Sequence, residues 1–225
     1  MLSFTDQVKL IQKQLIQASA DYAEAKIQST HLDQLLGFRY EDIEESLLKT
    51  HQDSIFSSER QFWYGLELPS LQTPYSEIHE MVKRLKPQDH ELWLDLGAAY
   101  GRMGIFLGFL YPKVRFIGYE YVSERVCEAN RVFQDWKLES VVMKQADLAT
   151  ESFRVEQADL YFIYDFGSKT DVYRVLEKLR LIAQTKKIRV IARGRGVRNW
   201  ILMDFPWLYD VCPAEHYLNW SLFQS

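Results

Sequence analysis

Steps of three and four residues connect Val8, Ile11, Leu15, Ala18, Tyr22, Ala25, Ser29, Leu32 and Leu36, the spacing of a single helix face. Gly37 follows as a stop. The stripe predicts one long helix, or a helical hairpin, packed on the rest of the chain. Taken instead as a coiled-coil seam it would pair two copies into a homodimer through this helix, although Ala18, Ala25 and Ser29 are small for the facing positions. A second helix is expected over Glu41 to Gln52, and the aperiodic, aromatic stretch from Phe56 to Thr73 reads as an ordered loop or lid. Thr73-Pro74 then opens a helix, with threonine as the cap and proline in the first turn. In it Ile78, Met81, Val82 and Leu85 face one way, and Lys86-Pro87 ends it.

Beyond that point the period switches repeatedly. Strand-like runs at Leu92–Leu96, Val114–Tyr119, Ser140–Met143, Leu160–Tyr164 and Ile188–Ala192 alternate with helical patterns at Arg102–Leu110, Ser123–Trp136 and Ser168–Thr185. Alternation of this kind predicts a parallel sheet covered by helices on both faces, a three-layer α/β fold. The tail differs: aromatic runs around Trp207–Val211 and Tyr217–Phe223, joined by Cys212-Pro213-Ala214, predict an antiparallel hairpin closing one edge of the sheet.

With 225 residues, 47% of them hydrophobic, the chain fills one sizeable core. We divide it into an N-terminal helical extension, residues 1–55, and a main domain, residues 56–225. A net charge of −4 argues against nucleic acid or an anionic membrane as partner, so any basic contact surface has to be local. The two cysteines, Cys127 and Cys212, make neither a disulfide framework nor a metal-ligand cluster. The first residues, MLSFTDQVKLIQ, lack the basic start and apolar block of a signal peptide, and no apolar run approaches the roughly 18 residues of a membrane helix. A reducing, cytoplasmic setting is the expectation.

Candidate chemistry starts at LWLDLGAAYGRMGIFLG, where glycines follow the first strand of the alternating region. In a doubly wound sheet that turn lies in the ligand crevice. A dinucleotide fingerprint counted from Gly97 would need glycines where Ala99 and Arg102 stand, and a phosphate-binding Walker loop would need Gly-Lys where Gly101-Arg102 stands. Neither phosphate cradle fits. What remains is acid-x-Gly-x-x-x-Gly: Asp95, Gly97 and Gly101, with Ala99 in the middle place. Here the chain resembles the class I S-adenosylmethionine-dependent methyltransferases, whose first motif is acid-x-Gly-x-Gly-x-Gly. The cofactor so implied has no phosphate; a carboxylate near its ammonium and small residues where the backbone passes close suit it.

Later acids fall in step with that resemblance, which covers about residues 73 to 200. Glu120 closes the second strand, where a carboxylate can accept both hydroxyls of a ribose. After the third strand the family usually receives the adenine amino group on an acid; Asp147 matches it, with the backbone at Ala146 and Leu148 as further contacts. The fourth strand ends at Tyr164-Asp165, the position that in this family faces the reacting methyl group. Residues before the first strand often form the family's cofactor lid, which points to Thr73 and Tyr75 for the cofactor and Tyr64 for the substrate.

The methyl acceptor is harder to read. An Asn/Asp-Pro-Pro-Tyr motif would mark adenine or glutamine methylation, and the chain has Tyr164-Asp165-Phe166-Gly167 instead. No cysteine sits in a Pro-Cys motif for cytosine methylation. The order Thr-Pro, Asp-Leu-Gly-x-x-x-Gly, Gly-x-Glu is loosely similar to the Dot1-type lysine methyltransferases. Lys186, Lys187, Arg189, Arg193, Arg195 and Arg198 form a local basic cluster, and Arg193 to Arg198 would serve an anionic acceptor unless the acids of the chain pair with them. Asp165 orients the acceptor or takes its proton, or else caps a turn. The expectation is transfer of a methyl group to a protein side chain or small molecule. The rivals are a binding module of the same fold without turnover and, against the failed glycine pattern, an NAD or nucleotide-sugar enzyme.

Overall fold

The structure is a computed structural model that describes residues 2–51 and 72–225. Seven strands form one sheet: β1 (Leu92–Leu96), β2 (Arg115–Glu120), β3 (Val141–Gln145), β4 (Leu160–Tyr164), β5 (Arg189–Arg193), β6 (Cys212–His216) and β7 (Trp220–Gln224). Their order is β3-β2-β1-β4-β5-β7-β6. The first five run parallel, with Trp93 beside Phe116 on one side and Leu160 on the other. The β7 strand joins β5 antiparallel, Val190 opposite Phe223, and pairs with β6.

Eight α-helices lie among the described residues: α1 (Phe4–Leu15), α2 (Tyr22–Leu36), α3 (Tyr40–His51), α4 (Tyr75–Leu85), α5 (Arg102–Leu110), α6 (Ser123–Asp135), α7 (Lys169–Ala183) and α8 (Arg195–Asp204). Successive strand side chains point to opposite faces, so β1, buried throughout, sends Trp93 into one core and Leu92, Leu94 and Leu96 into the other. The first core is closed by α1, α2, α4, α5 and α6, the second by α7 and α8. Helices on both faces of a mostly parallel sheet make the predicted three-layer architecture.

The N-terminal stripe is a hairpin rather than one long helix. Ser3 caps α1, Asp21 caps α2 by accepting from the Glu24 N–H, and left-handed Gly37 stops α2 at φ 84°. The pair Asp21 and Glu24, an acid followed three residues later by glutamate, was the legible signal for the break. Ile11, Leu15, Leu32 and Leu36 bury in the same cluster as Trp93 and Phe106. Much of the supposed dimer seam is thus used inside the chain, while Ala18 and Tyr22 of the stripe are exposed.

Two expectations need correction. The Thr73 hydroxyl does not cap α4; Pro74 holds the cap position, and the free N–H of Tyr75 donates to Ser29 Oγ of α2 at 3.0 Å. Proline before the first helical residue leaves no local acceptor, so a neighbouring helix provides one. In the tail, Cys212-Pro213-Ala214 is strand β6 itself, not the connection, and Trp207 lies in a short 3-10 turn, Pro206–Leu208. β5 leads through Gly194 into helix α8, which buries Val197 and Ile201. No described helix is long and apolar enough to cross a membrane.

Candidate functional site

The carboxyl ends of β1, β2 and β4 converge on the glycine turn. The N–H groups of Gly97 and Ala98 both donate to the Tyr119 carbonyl at 2.9 Å, and Gly101 N–H donates to Ala98 at 2.8 Å, so the chain reverses within one turn before α5. This needs left-handed backbone at Gly97 (φ 91°), Ala99 (φ 47°) and Gly101 (φ 73°). At Ala99 that conformation costs about 1–2 kcal/mol. The charge-assisted bond from its N–H to Glu120 Oε2, 2.9 Å, offsets a similar amount. A Cβ on Gly97 would lie 2.5 Å from the Cβ of Phe166. We expect Gly97→Ala to lose about 2 kcal/mol, from the positive φ and the displaced Phe166, as read by chemical denaturation.

Two buried acids flank this turn. Asp95 is 5% exposed, and its Oδ1 has no hydrogen-bond partner among the described residues. Burial, reinforced by the charge of Glu120, pushes its carboxyl well above the usual aspartate range. Glu120 accepts from Ala99 N–H through Oε2 and from Val122 N–H through Oε1 at 3.0 Å. Burial raises it too, opposed by the Arg125 guanidinium and these N–H donors. Asp95, Gly97, Ala98 and Arg102 share one open pocket with Gln72, Thr73 and Tyr164.

Sequence reasoning missed the groups that support this pocket. Arg102, the first residue of α5, is fully buried and donates to Asp33 of α2 and, at 3.3 Å, to the Thr73 carbonyl. Arg125 of α6 donates to both oxygens of Glu44 of α3, at 2.8 and 3.0 Å. The signal was faint: Asp33 stands between Leu32 and Gln34 and Glu44 between Ile43 and Glu45, amphipathic surroundings in which an acid reads as solvated surface. Gln72, with both side-chain polar atoms buried and unpartnered among the described residues, was missed as well.

Other expected residues are placed as follows. Thr73 lines the pocket, whereas the Tyr75 hydroxyl donates to Asp33 Oδ1 at 2.8 Å and is used within the packing. Half-buried Asp147 follows β3 and accepts from Ala149 N–H at 2.9 Å. The Ala146 N–H continues the sheet by donating to the Glu120 carbonyl, and is not open to a ligand; Leu148 is buried in the same apolar cluster as Tyr119. Asp165 follows β4 at φ 24°, with its Oδ1 accepting from Val197 N–H at 2.9 Å. It acts as the acid at the N-terminus of α8, the capping alternative, and a Cβ on Gly194 would lie 2.3 Å from its Oδ2. Burial raises its carboxyl, opposed by these donors.

The basic cluster is mostly paired. Arg193 is 4% exposed, makes a two-pronged bond to Glu77, and stacks on Tyr164 with 4.3 Å to the ring centre. It is therefore a packing residue and not an open anion contact, because a guanidinium buried this deeply requires its own counter-charge. Arg189 pairs with Glu91, Lys186 with Asp159, and Arg198 holds the carbonyls of Tyr217 and Leu218. Arg195 is exposed. Tyr64 and the rest of the expected lid up to Leu71 lie outside the described residues.

Comparison of the sequence with protein-family models and with curated proteins finds no match. Solved structures do match. Precorrin-6Y C5,15-methyltransferase from Geobacter metallireducens is 15% identical with a TM-score of 0.51, over 68% of this chain and 88% of that one. An RNA methyltransferase from Salinibacter ruber, solved with S-adenosylhomocysteine, is 18% identical at 0.49, over 68% and 91%. YcgJ from Bacillus subtilis is 20% identical at 0.42, over 52% of this chain, which spans half of that protein. The strand order ending in an antiparallel pair, and the likeness to the Geobacter enzyme, show that the chain has the Rossmann-like fold of the class I S-adenosylmethionine-dependent methyltransferases.

Proposed function

We propose that the protein binds S-adenosylmethionine at the ends of β1 and β2 and transfers its methyl group to a protein side chain or small molecule. The observation that carries this reading is Asp95 Oδ1, a buried carboxyl oxygen without a partner among the described residues, on a residue that lines a pocket beside a glycine turn. A buried unpaired acid is costly unless a cation completes it. The cofactor's ammonium is such a cation. Glu120 supports the ribose, and Asp147 the adenine, at the next two strand ends. When bound, the sulfonium supplies an activated methyl group for in-line displacement by the acceptor. The chain's own residues then orient the reactants and exclude water, with Tyr164 on the pocket wall nearest the end of β4.

Calorimetry with S-adenosylmethionine, S-adenosylhomocysteine and NAD tests the reading: the first two should bind and NAD should not. The pH dependence follows from the raised Asp95 carboxyl. In the ligand-free protein its contribution to stability is complete below the ordinary aspartate pKa and is lost as pH rises through the raised value. An ammonium favours the ionised form, so binding expels a proton within that window and affinity rises with pH across it. Titration in buffers of different ionisation enthalpy should show proton release in the native protein, and Asp95→Asn should abolish it.

A second reading, a cofactor-binding module without turnover, is favoured by one observation: Asp165 and Arg193 both serve internal contacts. Binding of S-adenosylmethionine with no transfer of labelled methyl to any fraction of a cell lysate would select it.

A further inference from the structure

Glu120 is held from behind by a relay that starts in the N-terminal helices. Glu44 of α3 takes the Arg125 fork on both oxygens, and its Oε1 also accepts from the Tyr100 hydroxyl at 2.7 Å. Tyr100 is itself fixed among Phe38 and Tyr40, with ring centres at 6.2 and 4.3 Å. So clamped, Arg125 brings its third guanidinium nitrogen to 3.7 Å from Glu120 Oε1. That is too long for a hydrogen bond, so the arginine attracts the carboxylate without occupying one of its lone pairs.

The count of acceptor sites makes this spacing meaningful. An ionised carboxylate offers about four lone-pair sites, two on each oxygen. Val122 N–H uses one on Oε1, Ala99 N–H uses one on Oε2, and the Tyr121 N–H also donates to this carboxylate, so about one site remains for a ligand hydroxyl. Protonation, or a direct arginine bond, would take up what remains.

We propose that Arg125, clamped by Glu44 of the N-terminal helices, is a positioning residue that fixes the orientation and charge of Glu120 toward the cofactor's ribose, making α3 a working part of the cofactor site. The proposal rests on the S-adenosylmethionine reading above. The charged groups facing Glu120 among the described residues are Asp95 from β1 and Arg125 from α6, with Glu44 of α3 behind the arginine. Because Glu44 draws on the same guanidinium, the two ends of the relay act on Glu120 with opposite sign.

The test measures S-adenosylhomocysteine affinity against pH in an Asp95→Asn background, which removes the neighbouring titration, with thermal melting to confirm folding. Arg125→Gln should weaken binding about tenfold at neutral pH and move the acid-side midpoint up. Glu44→Gln leaves Arg125 less neutralised and should move that midpoint down, and Arg125→Lys, which keeps the charge, should restore part of the loss. If Arg125→Gln does not fold, the opposite shift in Glu44→Gln and the midpoint of Arg125→Lys decide alone. Midpoints that coincide with the parent overturn the proposal while leaving cofactor binding intact. A native protein that binds neither S-adenosylmethionine nor S-adenosylhomocysteine overturns the reading beneath it, and the proposal with it.

Discussion

Asp33→Asn should destabilise the protein by about 3–5 kcal/mol, a drop in melting temperature of roughly 10 °C for a chain of this size. Asp33 and Arg102 are 0% and 3% exposed, one from α2 and the other at the head of α5. One Asp33 oxygen takes two guanidinium nitrogens and the other takes the Tyr75 hydroxyl, so the neutral amide leaves a fully buried cation without its counter-charge. The pair itself is not a net gain over an apolar core: taking both charges out of water costs several kcal/mol per ion, which their mutual attraction does little more than offset. The double substitution Asp33→Leu with Arg102→Met should therefore recover most of the loss. Thermal melting of the single and double variants checks both statements; a single variant within about 1 kcal/mol of the parent would refute the role of the pair.

Glu120→Ala should lower S-adenosylmethionine affinity by tenfold to about a hundredfold, since it removes a charged acceptor worth on the order of 1.5–3 kcal/mol. The same change frees the N–H groups of Ala99 and Val122 and leaves Arg125 facing one acid fewer, so the glycine turn loosens too. Glu120→Gln separates the effects. It keeps the shape and one acceptor oxygen but places an NH2 where a second acceptor is required, so it should retain more of the melting temperature than of the affinity. Calorimetry alongside melting of both variants reads the split, and affinity unchanged in Glu120→Ala would refute the ribose contact.

Much of the sheet was legible in the chain. β1 and β4 lie at the expected residues, because a strand buried on both faces is a continuous apolar run, and β2, β3 and β5 differ by one or two residues at their ends. The start of α7 was legible through Ser168 and Asp171, which form a capping box. The tail was displaced because Cys212-Pro213-Ala214 looks like a turn, whereas β6 is an edge strand, where proline is tolerated. Helix α8 was hidden in ARGRGVR: glycines and arginines signal a loop, and what starts the helix is the Asp165 carboxylate from another strand end.

The candidate site divides along the same line. Asp95, Gly97, Gly101 and Glu120 could be found in sequence because each stands at a fixed place after a strand, and the crevice of such a sheet lies at the strand ends. Which of the neighbouring polar groups remain open to a ligand could not. Arg193, Tyr75 and Asp165 are turned inward by Glu77, Asp33 and Val197, partners far away in the chain. Likewise the acids that neutralise Arg102 and Arg125 come from helices that their periodicity shows only as an amphipathic stripe. Periodicity and strand-end spacing are local properties, carried by neighbouring residues, and they determined the layers, the parallel core and the line of acids. A buried charge must find its counter-charge wherever the folded chain brings one, so only the tertiary structure decided which charges are held inside and which the pocket still offers.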